Sequence, residues 1–294
     1  MAAEMPSDQW VTLDRKRLFA NPDFLPLLRA NQLDTFAAVM SLGSGDIVRS
    51  VPGRTTVRLK LASTGDTPIV MYLKRYGPAY LSAKRVLLRV VQSPHGREEA
   101  LQEWRMMHVL RAHGISTATP IAAGQSTTMG IATRSFVMAA EIENGISASD
   151  LLPTLRGSQR RRFVEKLAEF TRHFHQQGFI HKDYYLSHLL ATGNAEELRL
   201  SIIDLQRVLG PGRFLRRWLI KDIGSLAFSA VKVGATRSDL MAFYKTYTGN
   251  SQLSESDREF IWRITKRSEW LRNRTPRHGE AVRIKQPWSG TQTS

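Results

Sequence analysis

The chain contains no cysteine, which excludes a disulfide framework and any zinc site built on thiolates and fits a reducing compartment. It has no apolar run of membrane-spanning length. Its hydrophobic stretches are short and interrupted by charge, so no helix is expected to cross a bilayer. The opening segment MAAEMPSDQW is polar and acidic and lacks the apolar stretch of a secretory signal. Acidic residues are in deficit: 26 Asp and Glu face 42 Lys and Arg, a net charge of +16. That excess points to a polyanionic partner such as a nucleic acid, an anionic lipid headgroup, a nucleotide or an acidic carrier protein. The basic residues are spread out, at 15–17, 156–162 and 216–217. No C-x-x-C or RNP pattern accompanies them, so nucleic acid is not the expected partner.

What is present is enough apolar material, 42% of 294 residues, for one large domain or two modest ones. Val57, Leu59 and Leu61 alternate with Arg58 and Lys60, the period of a half-buried strand. SVPGRTT before them reads as a turn, and Ile69–Leu73, ending at Lys74, as a second strand. Leu101, Trp104, Met107 and Leu110 recur every three residues, which predicts a helix over about 97–113 with Gly114 as its stop. SFVMA at 135–139 is a further strand and 141–147 a connector. Phe163, Leu167, Phe170 and Phe174 form a helical stripe ended by Gly178. LRLSII runs as a strand into Asp204, and two helical stretches follow, to about Gly249 and over about 255–271. The fold class is therefore α+β, with two lobes: an antiparallel-sheet lobe with one main helix at 1–140, a hinge at 141–147, a mostly helical lobe at 148–275, and a basic flexible tail at 276–294.

One stretch carries unusual chemistry: IHKDYYLSHLL at 180–190. Phosphoryl transfer needs a cation on the nucleotide phosphates, a bound metal, and a carboxylate near the acceptor hydroxyl. Protein kinases supply these in a fixed order: a strand lysine, a helix glutamate that anchors it, an H-R-D-x-x-x-x-N loop, and an aspartate ending the next strand. Here Lys74 ends a strand and Glu103 sits on the following helix, where it could pair with Lys74. His181-Lys182-Asp183 stands for H-R-D, His188 takes the place of the Asn, and Asp204 ends LSIID.

These residues resemble the lipopolysaccharide core kinases, the Kdo/WaaP group. That family has a loop of the form H-R-D-C-Y-I-C-H, against HKDYYLSH at 181–188, and an I-D-L-H-R run, against IDLQR at 203–207. QEWRMMHVLRAHGI at 102–115 and RRWLIKDIGSLAFSAVKVGATRSDL at 216–240 extend the match, which covers about 40–248. The resemblance implies a two-lobed protein-kinase-like fold, ATP and Mg²⁺, and phosphorylation of a sugar hydroxyl, on heptose or Kdo, in the inner core of lipopolysaccharide. The acceptor would be an anionic glycolipid met at the cytoplasmic face of the bacterial inner membrane, with the protein in peripheral contact.

Under that resemblance Asp183 is the catalytic base, and Asp204 is a metal ligand, with His188 as a second ligand or a loop-holding group. Lys74 holds the α- and β-phosphates, fixed by Glu103. Glu98 and Glu99 are rivals that the EW pair at 103–104 sets aside. Arg54 and Glu141 complete the cofactor-binding set, because a turn with one glycine gives little backbone cradle. Asp222 and His181 support the loop, Lys182 helps to neutralise phosphate, and Arg207 contacts acidic groups of the acceptor. Tyr184, Tyr185, His173 and His175 read as packing or solvated residues. Three other readings stand beside this one: a kinase-like scaffold without activity, a kinase with a small-molecule or protein acceptor, and a basic nucleic-acid-binding protein.

Overall fold

A computed structural model describes residues 10–62, 68–77, 99–128, 131–194 and 197–274. The tail expected at 276–294, the rival Glu98 and most of the STGDTP loop lie outside these residues. The chain forms two compact units. The first holds the described residues up to Leu101 together with Pro120–Glu141, and the second holds Gln102–Thr119 and the described residues from Ile142 onward.

The first unit contains β1 (Val11–Leu13), β2 (Leu18–Ala20), α1 (Leu25–Ala30), α2 (Phe36–Ser41), β3 (Asp46–Val51), β4 (Arg54–Leu61), β5 (Ile69–Tyr76), β6 (Pro120–Thr128) and β7 (Ile131–Ala140). The strands make one antiparallel sheet in the order β1-β2-β6-β7-β5-β4-β3. Successive strand residues face opposite sides. Val57, Leu59, Leu61, Met71, Leu73, Phe136 and Met138 therefore share a buried face, closed by Leu27, Leu28, Phe36 and Val39 of the two short helices. At about 25 cal/mol per Å² of apolar surface removed from water, this layer is the main stabilising term of the unit. The opposite face carries Thr56 and Lys74 as direct cross-strand partners, with Arg58 beside Tyr72. β3 and β4 are joined by Pro52-Gly53, and Gly53 has φ +75°, the left-handed position that a type II turn reserves for glycine.

α3 (Glu99–Ala112) begins at the end of the first unit and runs into the second. It buries Leu101, Trp104, Met107 and Leu110 as its spacing predicts. Gly114, at φ +69°, ends it: Gly114 N donates to Arg111 O at 3.0 Å and Ile115 N to Leu110 O at 2.9 Å. This paired closure uses the αL residue to satisfy the last carbonyls.

The second unit continues with β8 (Ile146–Ser147), α4 (Ala148–Leu151), α5 (Gly157–Gln176), β9 (Leu189–Thr192), β10 (Arg199–Ile202), α6 (Arg216–Lys232), α7 (Arg237–Thr248) and α8 (Glu255–Arg274). β10, β9 and β8 form a small antiparallel sheet. The chain after α3 joins it through a parallel bridge between Thr117 and Ile202. α5 packs on α7 and α6 on α8. Phe174, Phe179, Tyr184 and Leu186 are fully buried, and the rings of Phe174 and Tyr184 stack at 5.7 Å. Tyr184 thus packs in the core, its hydroxyl 3.0 Å from Thr171 Oγ1, and burial pushes that phenol well above its ordinary range. The α+β expectation, an antiparallel sheet with helices and a mostly helical second half, describes this architecture.

Candidate active site

The loop 180–188 is built around one buried carboxylate. Asp222, on α6 and without solvent exposure, accepts from His181 N at 2.7 Å and Lys182 N at 2.9 Å. These bonds hold Lys182 at φ +68°, a conformation that a lysine adopts only when its surroundings impose it. The His181 ring is fully buried and donates through Nε2 to Ile203 O at 3.0 Å, while Nδ1 is buried with no hydrogen-bond partner among the described residues. Burial holds the ring's pKa below its ordinary value and keeps it neutral. His181 therefore ties the loop to the residue before Asp204. His175 sits behind, with Nδ1 2.9 Å from Tyr247 Oη and Nε2 3.6 Å from Asp222 Oδ2, in a structural position.

Asp183 follows at once and is partly open to solvent. Arg207 Nη1 lies 2.8 Å from its Oδ1 and 2.9 Å from its Oδ2, and the Arg207 side chain is itself 59% exposed. His188 connects this carboxylate's residue to the next. Its Nδ1 is 2.8 Å from Asp183 O. A carbonyl has no proton to give, so Nδ1 donates, and in the neutral ring Nε2 carries the lone pair. Nε2 lies 3.7 Å from Asp204 Oδ2. Two acceptors face each other there, an arrangement that a cation or a proton between them would stabilise.

Asp204 has φ +62° and ψ +57°. Asp is among the few residues that tolerate this region. Its Oδ1 accepts from Gln206 Nε2 at 3.0 Å, and the same amide is 3.4 Å from Glu103 Oε2. Glu103 is 5% exposed. Gln102 Nε2 donates to Val208 O at 3.2 Å, so α3 and the turn after β10 are tied twice. Asp183, His188, Asp204, Asp222, His181 and Glu103 are thus brought together within one unit.

The remaining expected residues lie in the first unit. Lys74 stands on β5 between Thr56 and Val137. The Arg54 guanidinium lies 5.4 Å from the centre of the Tyr76 ring. Glu141 accepts from Arg58 Nε at 2.7 Å and Nη2 at 2.8 Å, and from Tyr72 Oη at 3.0 Å. The Arg58 guanidinium holds its carboxyl below the ordinary value. The side chain is committed to the sheet and the backbone N–H donates to Val70 O at 2.9 Å, so what remains of Glu141 for a nucleotide is its carbonyl. Nothing periodic in the sequence singles out Gln206 or pairs Arg207 with Asp183. The only signal was their place in IDLQR, directly after the metal-type aspartate.

The chain is similar to known proteins in sequence and in fold. The family model for the lipopolysaccharide kinase (Kdo/WaaP) family matches residues 43–247. The lipopolysaccharide core heptose(I) kinase WaaP of Escherichia coli (strain K12) is 27% identical over 259 residues, covering 84% of this chain and 94% of its own. WaaP of Pseudomonas aeruginosa is 27% identical over 264 residues, covering 86% and 95%. The solved structure of WaaP in complex with acyl carrier protein is similar with a TM-score of 0.65 and 25% identity, covering 87% of this chain and 99% of that one.

Proposed function

The chain belongs to the lipopolysaccharide kinase (Kdo/WaaP) family, and on that premise we propose that it transfers the γ-phosphoryl group of ATP to a sugar hydroxyl, on heptose or Kdo, of the lipopolysaccharide inner core. The observation that carries this reading is the constellation in the second unit: Asp183 and Asp204 joined through His188, with Glu103 attached by Gln206. Magnesium fits Asp204, which offers the hard oxygen it prefers, better than the His188 nitrogen beside it. Among the described residues no group of three or more acidic or histidine side chains is placed to hold a metal, so the remaining ligands would be phosphate oxygens and water. Bound ATP and Mg²⁺ supply the phosphoryl group and neutralise the charge on its oxygens.

The chain's own residues do the rest. Asp183 accepts a hydrogen bond from the acceptor hydroxyl and takes its proton as the phosphoryl group arrives. In a loose transition state that transfer is late, so placement matters more than basicity. Arg207 uses two of the roughly four acceptor positions of the Asp183 carboxylate, which leaves room for the hydroxyl. Asp204 and His188 hold the metal, Gln206 fixes the Asp204 carboxylate, and Asp222 and His181 hold the loop. Lys74 binds the α- and β-phosphates.

The acceptor is a membrane glycolipid, so the protein works in peripheral contact with the cytoplasmic face of the inner membrane. Among the described residues no helix is long and apolar enough to cross it. The acyl carrier protein bound by the structural neighbour is a candidate partner here as well, favoured by the +16 charge against an acidic carrier. Co-purification with tagged carrier at low and high salt tests it. The main test is transfer from labelled ATP with Mg²⁺ to de-phosphorylated core oligosaccharide, read as the mass of one added phosphate. Asp183→Asn should reduce kcat by about 10²–10⁴-fold. ATP binding without transfer to any core acceptor would support the inactive-scaffold reading instead.

A further inference from the structure

Beside the carboxylates the second unit gathers three cations around one indole. Lys221 Nζ lies 5.1 Å, Lys182 Nζ 5.5 Å and Arg217 Cζ 5.7 Å from the centre of the Trp218 ring. Two of these cations share α6 with Trp218, while Lys182 reaches it from the catalytic loop. The geometry that brings them together is fixed. Trp218 and Asp222 are four residues apart on α6, hence on one helical face, and Asp222 binds the backbone N–H of Lys182 at 2.9 Å. Lys221 adjoins that same aspartate in sequence. Arg217 is exposed and the other three are half-buried.

Each cation gains a modest attraction from the ring, about 0.5–1 kcal/mol at exposed sites. Mutual repulsion of three like charges works against it. An anion shared among them reverses that balance, and ammonium and guanidinium groups gathered around one side chain are suited to a phosphate or carboxylate. The next residue after Lys182 is Asp183, whose Cα is about 3.8 Å further along the backbone. The loop that carries one cation of the cluster thus also carries the carboxylate assigned to the accepting hydroxyl.

We propose that Lys182, Arg217 and Lys221, assembled on Trp218, form a subsite for an anionic group, phosphate or carboxylate, carried by the sugar acceptor. The proposal rests on the kinase reading given above and names a part of its acceptor site. It assigns the cations to the acceptor and not to the nucleotide, because Lys182 is the chain neighbour of Asp183, while Asp204 and His188 are the residues assigned to the nucleotide's metal. Trp218 is the plate that spaces the cations, so its replacement loosens all three.

The experiment uses soluble core oligosaccharide in place of membrane-embedded glycolipid, so that surface attachment does not enter the readout. Acceptor KM, ATP KM and kcat are measured for the wild type, Lys221→Gln, Arg217→Gln/Lys221→Gln, Trp218→Leu and Trp218→Phe. The double variant and Trp218→Leu should raise acceptor KM by about tenfold or more, with the effect on KM exceeding that on kcat or ATP KM, while Trp218→Phe restores most of the affinity. Raising salt should weaken wild-type acceptor binding more than that of the double variant. An acceptor stripped of carboxylate and phosphate should bind the wild type and the double variant alike. Unchanged acceptor KM in variants that still transfer phosphate overturns the subsite and leaves the kinase reading standing, as does an effect on ATP KM alone. If the wild type phosphorylates no core acceptor, the kinase reading itself falls. The subsite is then judged by calorimetric titration of the same oligosaccharide, and equal binding to the wild type and the double variant overturns it too.

Discussion

Asp222 is a direct point of attack on the catalytic loop. Its carboxylate is fully buried and accepts two backbone N–H groups, from His181 and Lys182, at 2.7 and 2.9 Å. Hydrogen bonds to a charged group contribute about 1.5–3 kcal/mol each, so the pair stabilises the loop by about 3–6 kcal/mol. Holding Lys182 at φ +68° costs about 1–2 kcal/mol, so the carboxylate prevails. Asp222→Asn keeps the shape but presents an NH₂ group to one of the two amides. It should remove about half of the gain, ~2–3 kcal/mol, and lower Tm by about 5–10 °C. With the loop released, Asp183 shifts, and a displacement of about 1 Å suffices for a 10²-fold fall in kcat. Urea denaturation and steady-state transfer kinetics read the two effects. Lys182→Gly, which removes the Cβ that opposes the left-handed backbone, should by contrast raise stability by about 1 kcal/mol. A folding equilibrium constant from urea titration and a kcat for Asp222→Asn each within about threefold of wild type would refute the idea that this carboxylate holds the loop.

Further outcomes follow from packing and charge. Gly178→Ala should destabilise by about 3 kcal/mol or more, because at φ +78° a Cβ would stand 2.5 Å from Gly212 O and 2.8 Å from Gly212 N, both unyielding backbone; thermal melting reads it. Glu141→Gln should lose about 1 kcal/mol at neutral pH, a modest amount because the pair with Arg58 is partly exposed. Since the Glu141 carboxyl is held below its ordinary value, its contribution is present above that value and fades as pH falls, so variant and wild type should converge in acid when their urea midpoints are compared. His108, half-buried beside Trp104, has its pKa lowered by desolvation to about 4 from 6.5. The unfolded chain binds this proton first, so stability should fall as pH drops from about 6.5 to 4. The full shift corresponds to about 3 kcal/mol, which solvent screening of a half-buried ring reduces to ~1 kcal/mol. His108→Gln should lack that part of the acid sensitivity in matched urea titrations.

The elements that the sequence announces are those whose signals are local and repeated. The alternation of Val57, Leu59 and Leu61 marks β4, and Gly114 and Gly178 mark helix ends because the αL closure demands a residue without Cβ. β1 and β2 are three residues each, and α1 and α2 six, too short for a period to emerge. β6 reads PIAAGQSTT, small residues whose burial comes from the sheet around them and not from their own hydrophobicity. Within the site, the linear order His181, Asp183, His188, Asp204, Asp222 is visible because phosphoryl transfer fixes residue types along the chain. Arg207 on Asp183, Gln206 between Asp204 and Glu103, and Lys182 over Trp218 are pairings across 2 to 103 positions. Most of them leave no periodic trace.

Two residues of this site, Lys182 and Asp204, hold left-handed backbone without being glycine. A lone residue in that region costs about 1–2 kcal/mol, and glycine at either position would remove the cost. Glycine at 204 would delete the carboxylate, and glycine at 182 the cation over Trp218. The strain is therefore tied to side-chain chemistry at both places. Each is held in a different way: Lys182 through its own N–H, bonded to the buried Asp222 carboxylate, and Asp204 through its side chain, bonded to Gln206. Both bonds join a neutral donor to a carboxylate and are charge-assisted; the first is shielded from water and the second is half-exposed, so the first is the stronger. The aspartate, whose short polar side chain tolerates αL, needs less support than the lysine. The stronger clamp is found where the residue type is less suited to its conformation, which is the allocation expected if the loop's shape is maintained for the sake of the carboxylate that follows it.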